Sequence, residues 1–193
     1  MPRVLCNLWT VPGFTTQPPE AGALAVHRRL PGYVPTPLRS LSGLAERIGV
    51  ARVELKDESA RLGLPAYKIL GATWATYRAL ARRLGRTSEP WRDVTEWRAL
   101  LRPFPRLQLV AATDGNHGRG VARVARWLGL PAVIYLPAGS AEARLAGIRS
   151  EGAQVIEVEG TYDAAVAQAA AAEGEDVLLI QDHGWPGYED IPA

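Results

Sequence analysis

Only two of the 22 basic residues in this sequence are lysines, Lys56 and Lys68, and all the others are arginines. A lysine amine can lose its proton and form a Schiff base with a carbonyl compound. An arginine guanidinium stays protonated at any ordinary pH and is a poor nucleophile. The stretch "VELKDESARLGLPAYKILGA" holds both lysines. We therefore expect one of them to perform chemistry that arginine cannot.

A second group of residues suited to chemistry is the segment "ATDGNHGRG", which spans Ala112 to Gly120. Glycines let a backbone approach a ligand closely, and the free N–H groups at the start of a helix bind anions. Gly115, Gly118 and Gly120 fit neither the GxGxxG dinucleotide pattern nor the GxxxxGKS/T phosphate loop. The segment therefore predicts an anion site outside these two nucleotide-binding patterns.

A regular alternation of strands and helices surrounds this segment. The apolar stretches "LQLVAA", "AVIYL", "AQVIEV" and "DVLLI" predict strands, and a helical pattern follows each of the first three. This order predicts βαβ units, hence an α/β fold with a parallel sheet covered on both faces. Ser140 is predicted to cap the helix that begins near Glu142. Ligands of such sheets bind at the carboxyl ends of the strands, where the loop from Ala112 to Gly120 would lie.

The N-terminal part of the chain has a different character. The first forty residues are rich in proline and glycine, which predicts extended chain along a surface. "LAERIGV" predicts a short helix that ends at Gly49, and "RVELK" predicts a strand. The apolar spacing from Tyr67 to Leu84 predicts an amphipathic helix. "TSEPWRDVTEWRALLRPFP" predicts a short helix within a surface insertion.

The overall composition excludes several classes of function. The net charge is +2 and the arginines are spread among 20 acidic residues, so no nucleic-acid partner is expected. Arg119, Arg123 and Arg126 share one helical face, which we interpret as solvated. The single cysteine, Cys6, rules out an internal disulfide framework and favours a reducing compartment. No apolar stretch approaches the length of a membrane span, so we expect a cytoplasmic protein with no membrane partner.

Six segments follow one another from about Val53 to the end of the chain: "KDES", "AYKILGA", "TDGNHGRGVA", "VIYLPAGSAEAR", "GAQVIEVEGTYDAAV" and "QDHGWPGY". In this order they resemble the diaminopropionate ammonia-lyases, a family of pyridoxal-phosphate enzymes of fold type II related to threonine dehydratase and tryptophan synthase β. The loop that begins with Thr113 and Asp114 distinguishes the lyases from the dehydratases, whose loop usually begins with serine. The resemblance implies an amino-acid-catabolising lyase with pyridoxal phosphate as its cofactor.

The resemblance also implies roles for individual residues. Lys68 matches the lysine that holds pyridoxal phosphate as a Schiff base, and Asn116 matches the asparagine whose amide contacts the 3′-oxygen of the cofactor. Lys56 is expected to be structural, in a polar or ion-paired setting near Asp57 or Glu58. The amides that match the cradle for the substrate carboxylate belong to Thr113, Asp114, Gly115, Asn116 and His117. The His117 side chain is open to a second interpretation, a helix-start residue used in packing or capping.

Asp114 departs from the dehydratase pattern and is the informative residue of the loop. A carboxylate beside the substrate carboxylate would be repelled by it, which is a poor choice for a serine or threonine substrate. With a second ammonium on the substrate, Asp114 could pair with the β-amine or accept the Cα proton as a general base. Asp182, at the carboxyl end of the last strand, is a second catalytic candidate. Its alternative role is to cap the turn at His183.

The match also carries expectations about domains and length. We expect residues 1–70 to belong to an incomplete larger domain, residues 71–182 to form the smaller α/β domain, and residues 183–193 to begin the return to the larger domain. The family's loop for the cofactor phosphate comes later than this chain extends, so the sequence is expected to be truncated. A complete enzyme is expected to be a homodimer that acts on a small amino acid.

The reaction expected of the full-length family is α,β-elimination of 2,3-diaminopropionate to pyruvate and ammonia, whereas the isolated chain is expected to be inactive. The alternatives are a threonine or serine dehydratase-like lyase, a non-catalytic fragment, and one half of a split enzyme. A further alternative, an α/β module that binds a nucleotide or another anion, gives no role to Lys68.

Overall fold

The structure, a computed structural model, describes Gly13, residues 21–85 and residues 91–191. The helices are α1 (Ala21–His27), α2 (Ser42–Ile48), α3 (Lys68–Arg83), α4 (Val94–Leu100), α5 (Asn116–Leu128), α6 (Glu142–Arg149) and α7 (Tyr162–Ala171). The strands are β1 (Leu38–Ser40), β2 (Glu54–Lys56), β3 (Gln108–Ala112), β4 (Ala132–Pro137), β5 (Gln154–Val158) and β6 (Val177–Leu179). Four strands form a parallel sheet in the order β5-β4-β3-β6, which confirms the predicted α/β fold.

The central strand β3 buries side chains on both faces of this sheet. Leu109 and Ala111 pack in one cluster with Val121 of α5. Val110 and Ala112 pack in another cluster with apolar residues of α7. Successive side chains of a strand point to opposite faces, so α5 covers one face and α7 covers the other.

Close packing between α3 and α5 depends on a small residue. A Cβ atom at Gly120 of α5 would lie 3.2 Å from the Cα atom of Ile69 and 3.2 Å from the Cβ atom of Ala72. Because Gly120 has no side chain, the first turns of the two helices can meet. Lys68, the first residue of α3, is therefore held near the start of α5.

The region before α3 contains the second sheet, which is small and exposed. Strand β1 pairs with β2 in antiparallel fashion, with Leu38 opposite Lys56, and every residue of both strands is exposed. Helix α2 ends at Gly49, whose φ of 72° is in the left-handed region, as predicted. The large exposed apolar residues all fall in this part of the chain and are Leu24, Val34, Leu38, Leu44, Ile48, Val50, Leu55 and Tyr67.

The prediction of extended chain over the first forty residues is wrong for α1. Val26 and Leu30 are buried, and Val26 packs in the same cluster as Tyr77 and Leu80 of α3. The sequence "AGALAVH" combines helix-forming alanines with apolar residues that this contact buries. Residues 33–37 form no helix and lead into β1, as predicted, and the part of the prediction on residues 1–12 and 14–20 lies outside the described residues.

The segment around α4 is also part of the core, and not the predicted surface insertion. The helix itself is present, and the Asp93 side chain caps it by accepting a hydrogen bond from the Glu96 backbone N–H at 2.8 Å. Trp91 and Trp97 are buried with their ring centroids 4.8 Å apart, and both contact Tyr77. Aromatic rings of this size contribute strongly to a core, which outweighs the polar residues between them.

The predicted cap at Ser140 is absent. Helix α6 has Ala141 at its N-cap position and receives no side-chain cap. The Ser140 hydroxyl instead donates to the Pro137 carbonyl at 2.7 Å, which closes the turn after β4. The Ser140 hydroxyl thus makes a local turn contact in place of the capping contact.

The arginine face of α5 is not solvated as we predicted. Nitrogen atoms of Arg119, Arg123 and Arg126 lie 3.4, 2.6 and 3.1 Å from the carboxylate of Glu151, whose side chain is 2% exposed. Glu151 follows α6, so the sequence of α5 alone carries no sign of it. The cluster links α5 to the end of α6.

Candidate active site

The carboxyl end of the parallel sheet brings Lys68 and Asp182 together. The Nζ atom of Lys68 donates to Oδ2 of Asp182 at 2.6 Å, although the two residues are 114 positions apart. Asp182 follows β6, and the loop after the neighbouring strand β3 carries Thr113 and Asp114. Two of the residues singled out from sequence are therefore in direct contact.

The two charges stabilise each other. The hydrogen bond from Lys68 to Asp182 raises the lysine pKa above 10.5 despite burial, and the charges of Tyr67 and Asp114 add to the effect. Burial by itself would raise the pKa of Asp182, but the fields of His117 and Lys68 and the hydrogen bond from Lys68 hold that pKa below 3.8. The lysine and aspartate side chains keep 38% and 26% of their surface exposed, so both remain open to a ligand.

The loop between β3 and α5 is fixed by a single hydroxyl group. Thr113 Oγ1 accepts hydrogen bonds from the backbone N–H groups of Gly115 at 2.9 Å and Gly118 at 3.0 Å. Gly115 has φ 154°, and a Cβ atom at Gly118 would lie 2.4 Å from Thr113 Cγ2. The backbone N–H groups of Asn116 and His117 have no acceptor among the described residues. They are free to bind an anion at the start of α5.

The side chains of Asp114 and Asn116 are both exposed at this loop. Within the described chain, neither side chain is hydrogen-bonded to Lys68 or Asp182. The charge of Asp114 nevertheless raises the pKa of Lys68 and that of Tyr162, which shows that it faces the same space.

His117 is turned away from the loop and lies against β6. Its side chain is 3% exposed, and its Nε2 atom lies 2.7 Å from the Ile180 carbonyl oxygen. Its Nδ1 atom is buried, has no hydrogen-bond partner in the part of the chain that the structure describes, and lies 3.9 Å from Oδ2 of Asp182. Burial lowers the pKa of His117 below 6.5, so the ring is neutral at pH 7. The packing interpretation of this residue is confirmed for the ring, and the free N–H at its backbone remains available to a ligand.

Sequence reasoning missed a buried residue beside the site. The Gln181 side chain accepts from the Ala112 backbone N–H at 3.0 Å and donates to the Tyr162 hydroxyl at 2.9 Å. Burial, with the charges of Asp182 and Asp114, raises the pKa of Tyr162 to about 12, so the phenol stays protonated. Gln181 comes just after β6, and Tyr162 is the first residue of α7, the helix after β5. Both positions lie at the carboxyl edge of the sheet, and that placement is the signal that could have found them.

Lys56 has the structural setting that its sequence context suggested. Its Nζ atom donates to the Thr36 carbonyl oxygen, and the Thr36 hydroxyl donates to the Glu58 carboxylate. Arg61 completes this network through bonds of 2.6 and 2.7 Å to Glu58. Glu58, Arg61 and Thr36 bind one another in this network, whereas Lys68 contacts Asp182 at the carboxyl end of the parallel sheet.

Comparison with known proteins identifies the family. A family model described as "Pyridoxal-phosphate dependent enzyme" matches residues 29–191. The chain belongs to this family. The amine of Lys68 fits the group that gives the family its name, because that group carries an aldehyde with which a primary amine forms a Schiff base.

Curated proteins similar to this chain include two diaminopropionate ammonia-lyases. The one from Salmonella typhimurium is 42% identical over 176 residues, which cover 88% of this chain and 43% of the relative. The one from Escherichia coli strain K12 is 40% identical over 170 residues, which cover 86% of this chain and 42% of the relative. This chain thus spans less than half the length of these relatives.

Solved structures agree with the sequence comparison. The Escherichia coli diaminopropionate ammonia-lyase in complex with D-serine is 37% identical, with a TM-score of 0.80 over 88% of this chain and 43% of that one. The same enzyme with an aminoacrylate-PLP azomethine reaction intermediate gives a TM-score of 0.75 at 36% identity, over 88% and 42% of the two chains. The predicted fold type is therefore confirmed. Among the described residues no helix is both long and apolar enough to cross a bilayer.

Proposed function

We propose that this chain carries the catalytic lysine and acids of a pyridoxal-phosphate-dependent ammonia-lyase. The reaction is α,β-elimination of 2,3-diaminopropionate, which consumes one water and yields pyruvate and two molecules of ammonia. The observation that carries the proposal is the contact of Lys68 with Asp182 beside the Thr113 loop. The similarity to diaminopropionate ammonia-lyases supports the choice of substrate.

Lys68 is the residue that would hold the cofactor. When bound, pyridoxal phosphate acts as an electron sink that makes the Cα–H bond of an amino acid acidic. Lys68 supplies the primary amine for attachment, and its partly exposed position in the cleft leaves room for a ligand. Asn116, at the first position of α5, would bind the 3′-oxygen of the cofactor through its exposed amide.

The acids of the site would move and hold protons. Asp182 Oδ2, already within hydrogen-bonding distance of an amine, is placed to accept the Cα proton as a general base. Asp114 would pair with the second ammonium of the substrate, or accept the Cα proton itself. The protonated phenol of Tyr162, held by Gln181, would donate a hydrogen bond in the same space. Two carboxylates suit a substrate with two amino groups, because the second ammonium offsets their repulsion of the substrate carboxylate, and serine and threonine lack that ammonium.

The loop from Thr113 to His117 would orient the substrate carboxylate. The free N–H groups of Asn116 and His117 are preorganised because Thr113 fixes the turn that presents them. Preorganised donors cost little reorganisation when an anion binds. His117 contributes its backbone here, since its ring is buried against β6.

The wider setting follows from the same proposal. We place the enzyme in the cytoplasm, because its single cysteine allows no internal disulfide. The proposed reaction belongs to amino-acid breakdown. We also propose that the enzyme is a homodimer and that its domains divide at residues 70 and 182. Light scattering of the purified protein tests the oligomeric state.

The decisive experiment combines cofactor attachment with product release. On mixing with pyridoxal phosphate, we expect the absorbance band of an imine. Borohydride should then reduce this imine and trap the cofactor on Lys68. Lys68→Ala should abolish the band, and the matched control Lys56→Ala should keep it. Pyruvate and ammonia released from 2,3-diaminopropionate, but not from serine or threonine, would establish the substrate. A trapped peptide containing Lys56 would overturn the assignment of Lys68.

A further inference from the structure

The hydrogen bond to Ile180 fixes where the proton of His117 lies. The Nε2 atom lies 2.7 Å from the Ile180 carbonyl oxygen, which can only accept a hydrogen bond. Nε2 must therefore carry a hydrogen. In the neutral ring this leaves an unprotonated lone pair on Nδ1.

Among the described residues, the lone pair on Nδ1 has no hydrogen-bond donor. The atom is buried, and it lies 3.9 Å from Oδ2 of Asp182. A lone pair beside an ionised carboxylate oxygen makes no hydrogen bond, whereas one proton between the two atoms would make a charge-assisted one. The two atoms need to approach by only about 1 Å to reach hydrogen-bonding distance.

Oδ2 of Asp182 already has a donor, the ammonium of Lys68 at 2.6 Å. The other oxygen, Oδ1, lies 3.5 Å from Nδ1 of His183. Asp114, on the loop after β3, and Tyr162, on α7, are the other titratable groups that face this space. The lysine ammonium thus already donates to the oxygen that a proton on His117 Nδ1 would bond.

We propose that His117 is a positioning residue for Asp182, and that a proton shared between His117 Nδ1 and Asp182 Oδ2 replaces the ammonium when the Lys68 amine is engaged elsewhere. This inference rests on the proposed function, in which Lys68 is engaged by the cofactor. The proton that Asp182 gains when the Cα–H bond breaks would be held between Oδ2 and Nδ1 and kept inside the cleft. Neither atom changes oxidation state, and the proton is returned to the product.

The test needs no cofactor and no turnover. The chain labelled with ¹⁵N-histidine is titrated by NMR, and the His117 signals are assigned by their loss in His117→Gln. At pH 7 we expect Nδ1 of the unmodified chain to be unprotonated and Nε2 to be protonated. In Lys68→Met we expect the midpoint for protonation of Nδ1 to rise by about one pH unit or more, because a neighbouring cation has been removed. Lys56→Met is the matched control and should leave the midpoint unchanged.

Two further variants separate the proposal from a general change in the fold. In Lys68→Met combined with Asp182→Asn, the midpoint should fall back, because the carboxylate charge that stabilises the protonated ring has been removed. Lys68→Ala provides a second uncharged background if Lys68→Met does not fold by circular dichroism. An unchanged midpoint in the folded Lys68 variants would overturn the proposal. Failure of the proposed function would show up separately, as the absence of a cofactor band in the unmodified chain.

Discussion

The surroundings of Lys68 and Lys56 are built from residues at very different separations along the chain. Lys68 contacts Asp182, 114 residues later, at an edge formed by β3 and β6. Lys56 contacts the Thr36 carbonyl, 20 residues earlier, beside the antiparallel pair of β1 and β2. Both lysines lie near carboxylates, so charge alone does not distinguish them. The parallel sheet supplies the neighbouring loop and the buried histidine that set Lys68 apart.

The same contrast holds for packing. The strand β3 is buried, whereas every residue of β1 and β2 is exposed. Buried groups that are packed on all sides respond strongly to substitution, and exposed ones do not. Matched substitutions in the two regions should therefore differ in the size of their effects.

Removing a buried carboxylate should show the largest difference. Glu151→Ala leaves three arginines without the buried carboxylate that pairs with them. We expect it to lower the free energy of unfolding by about 3–5 kcal/mol. The control Glu54→Ala removes a carboxylate 3.5 Å from exposed Arg52, and it should cost less than about 1 kcal/mol. Urea unfolding measures both. Equal losses would contradict a difference between the regions.

Adding one methyl group should give the next difference. In Gly118→Ala the new Cβ would lie 2.4 Å from Thr113 Cγ2 and 2.6 Å from Ile134 Cγ2. The overpacking should cost about 1–3 kcal/mol. Gly43→Ala, in α2, meets no atom within 4 Å and should be neutral or stabilise by up to about 1 kcal/mol. Thermal unfolding of the two variants tests this, and a neutral Gly118→Ala would show that the loop can move.

The reactivity of the two amines should sharpen the comparison. Asp182→Asn removes the charged acceptor that raises the pKa of Lys68, so more of the amine is free near neutral pH. We expect Lys68 to be acetylated several-fold faster. Lys56 in the same molecule is the internal reference, and its rate should not change. Peptide mapping after brief acetic anhydride treatment gives both rates. A constant Lys68 rate would mean that the ion pair is absent in solution.

The pH dependence of stability should show the smallest effect. The lowered pKa of Asp182 contributes stability above pH 3.8 that is lost as the pH falls through the folded pKa. The raised pKa of Lys68 contributes stability below pH 10.5 that is lost as the pH rises through its folded pKa.

The stability difference between the unmodified chain and Asp182→Asn should therefore be level between these limits and shrink outside them. A half-exposed pair is worth below about 1 kcal/mol. Asp163→Asn, at the first turn of α7, is the control. A difference that persists unchanged below pH 3 would rule out the ion pair as its cause.

Local pattern alone determined most elements of the parallel sheet. The spacing of apolar residues predicted the positions of α3, α5 and the four parallel strands, because a helix or strand must turn one side to a core wherever the rest of the chain lies. The prediction failed at α1 and at Trp91 and Trp97, where contacts with α3 decide what is buried. Proline, glycine and polar neighbours are weaker influences than those contacts.

The site divides in the same way. The chemistry of an amine that arginine cannot replace identified Lys68 from the sequence, and the order of short motifs pointed to the family. Only the tertiary structure decided that Lys68 donates to Asp182 and that His117 turns towards Ile180. It also decided that Gln181 holds Tyr162 and that three arginines meet Glu151. These partners are separated by 19 to 114 residues, so no local pattern records them. The order of the strands brings Gln181, Asp182 and the loop after β3 to the carboxyl edge of the sheet. Glu151 lies just before β5 instead, where the end of α6 meets α5.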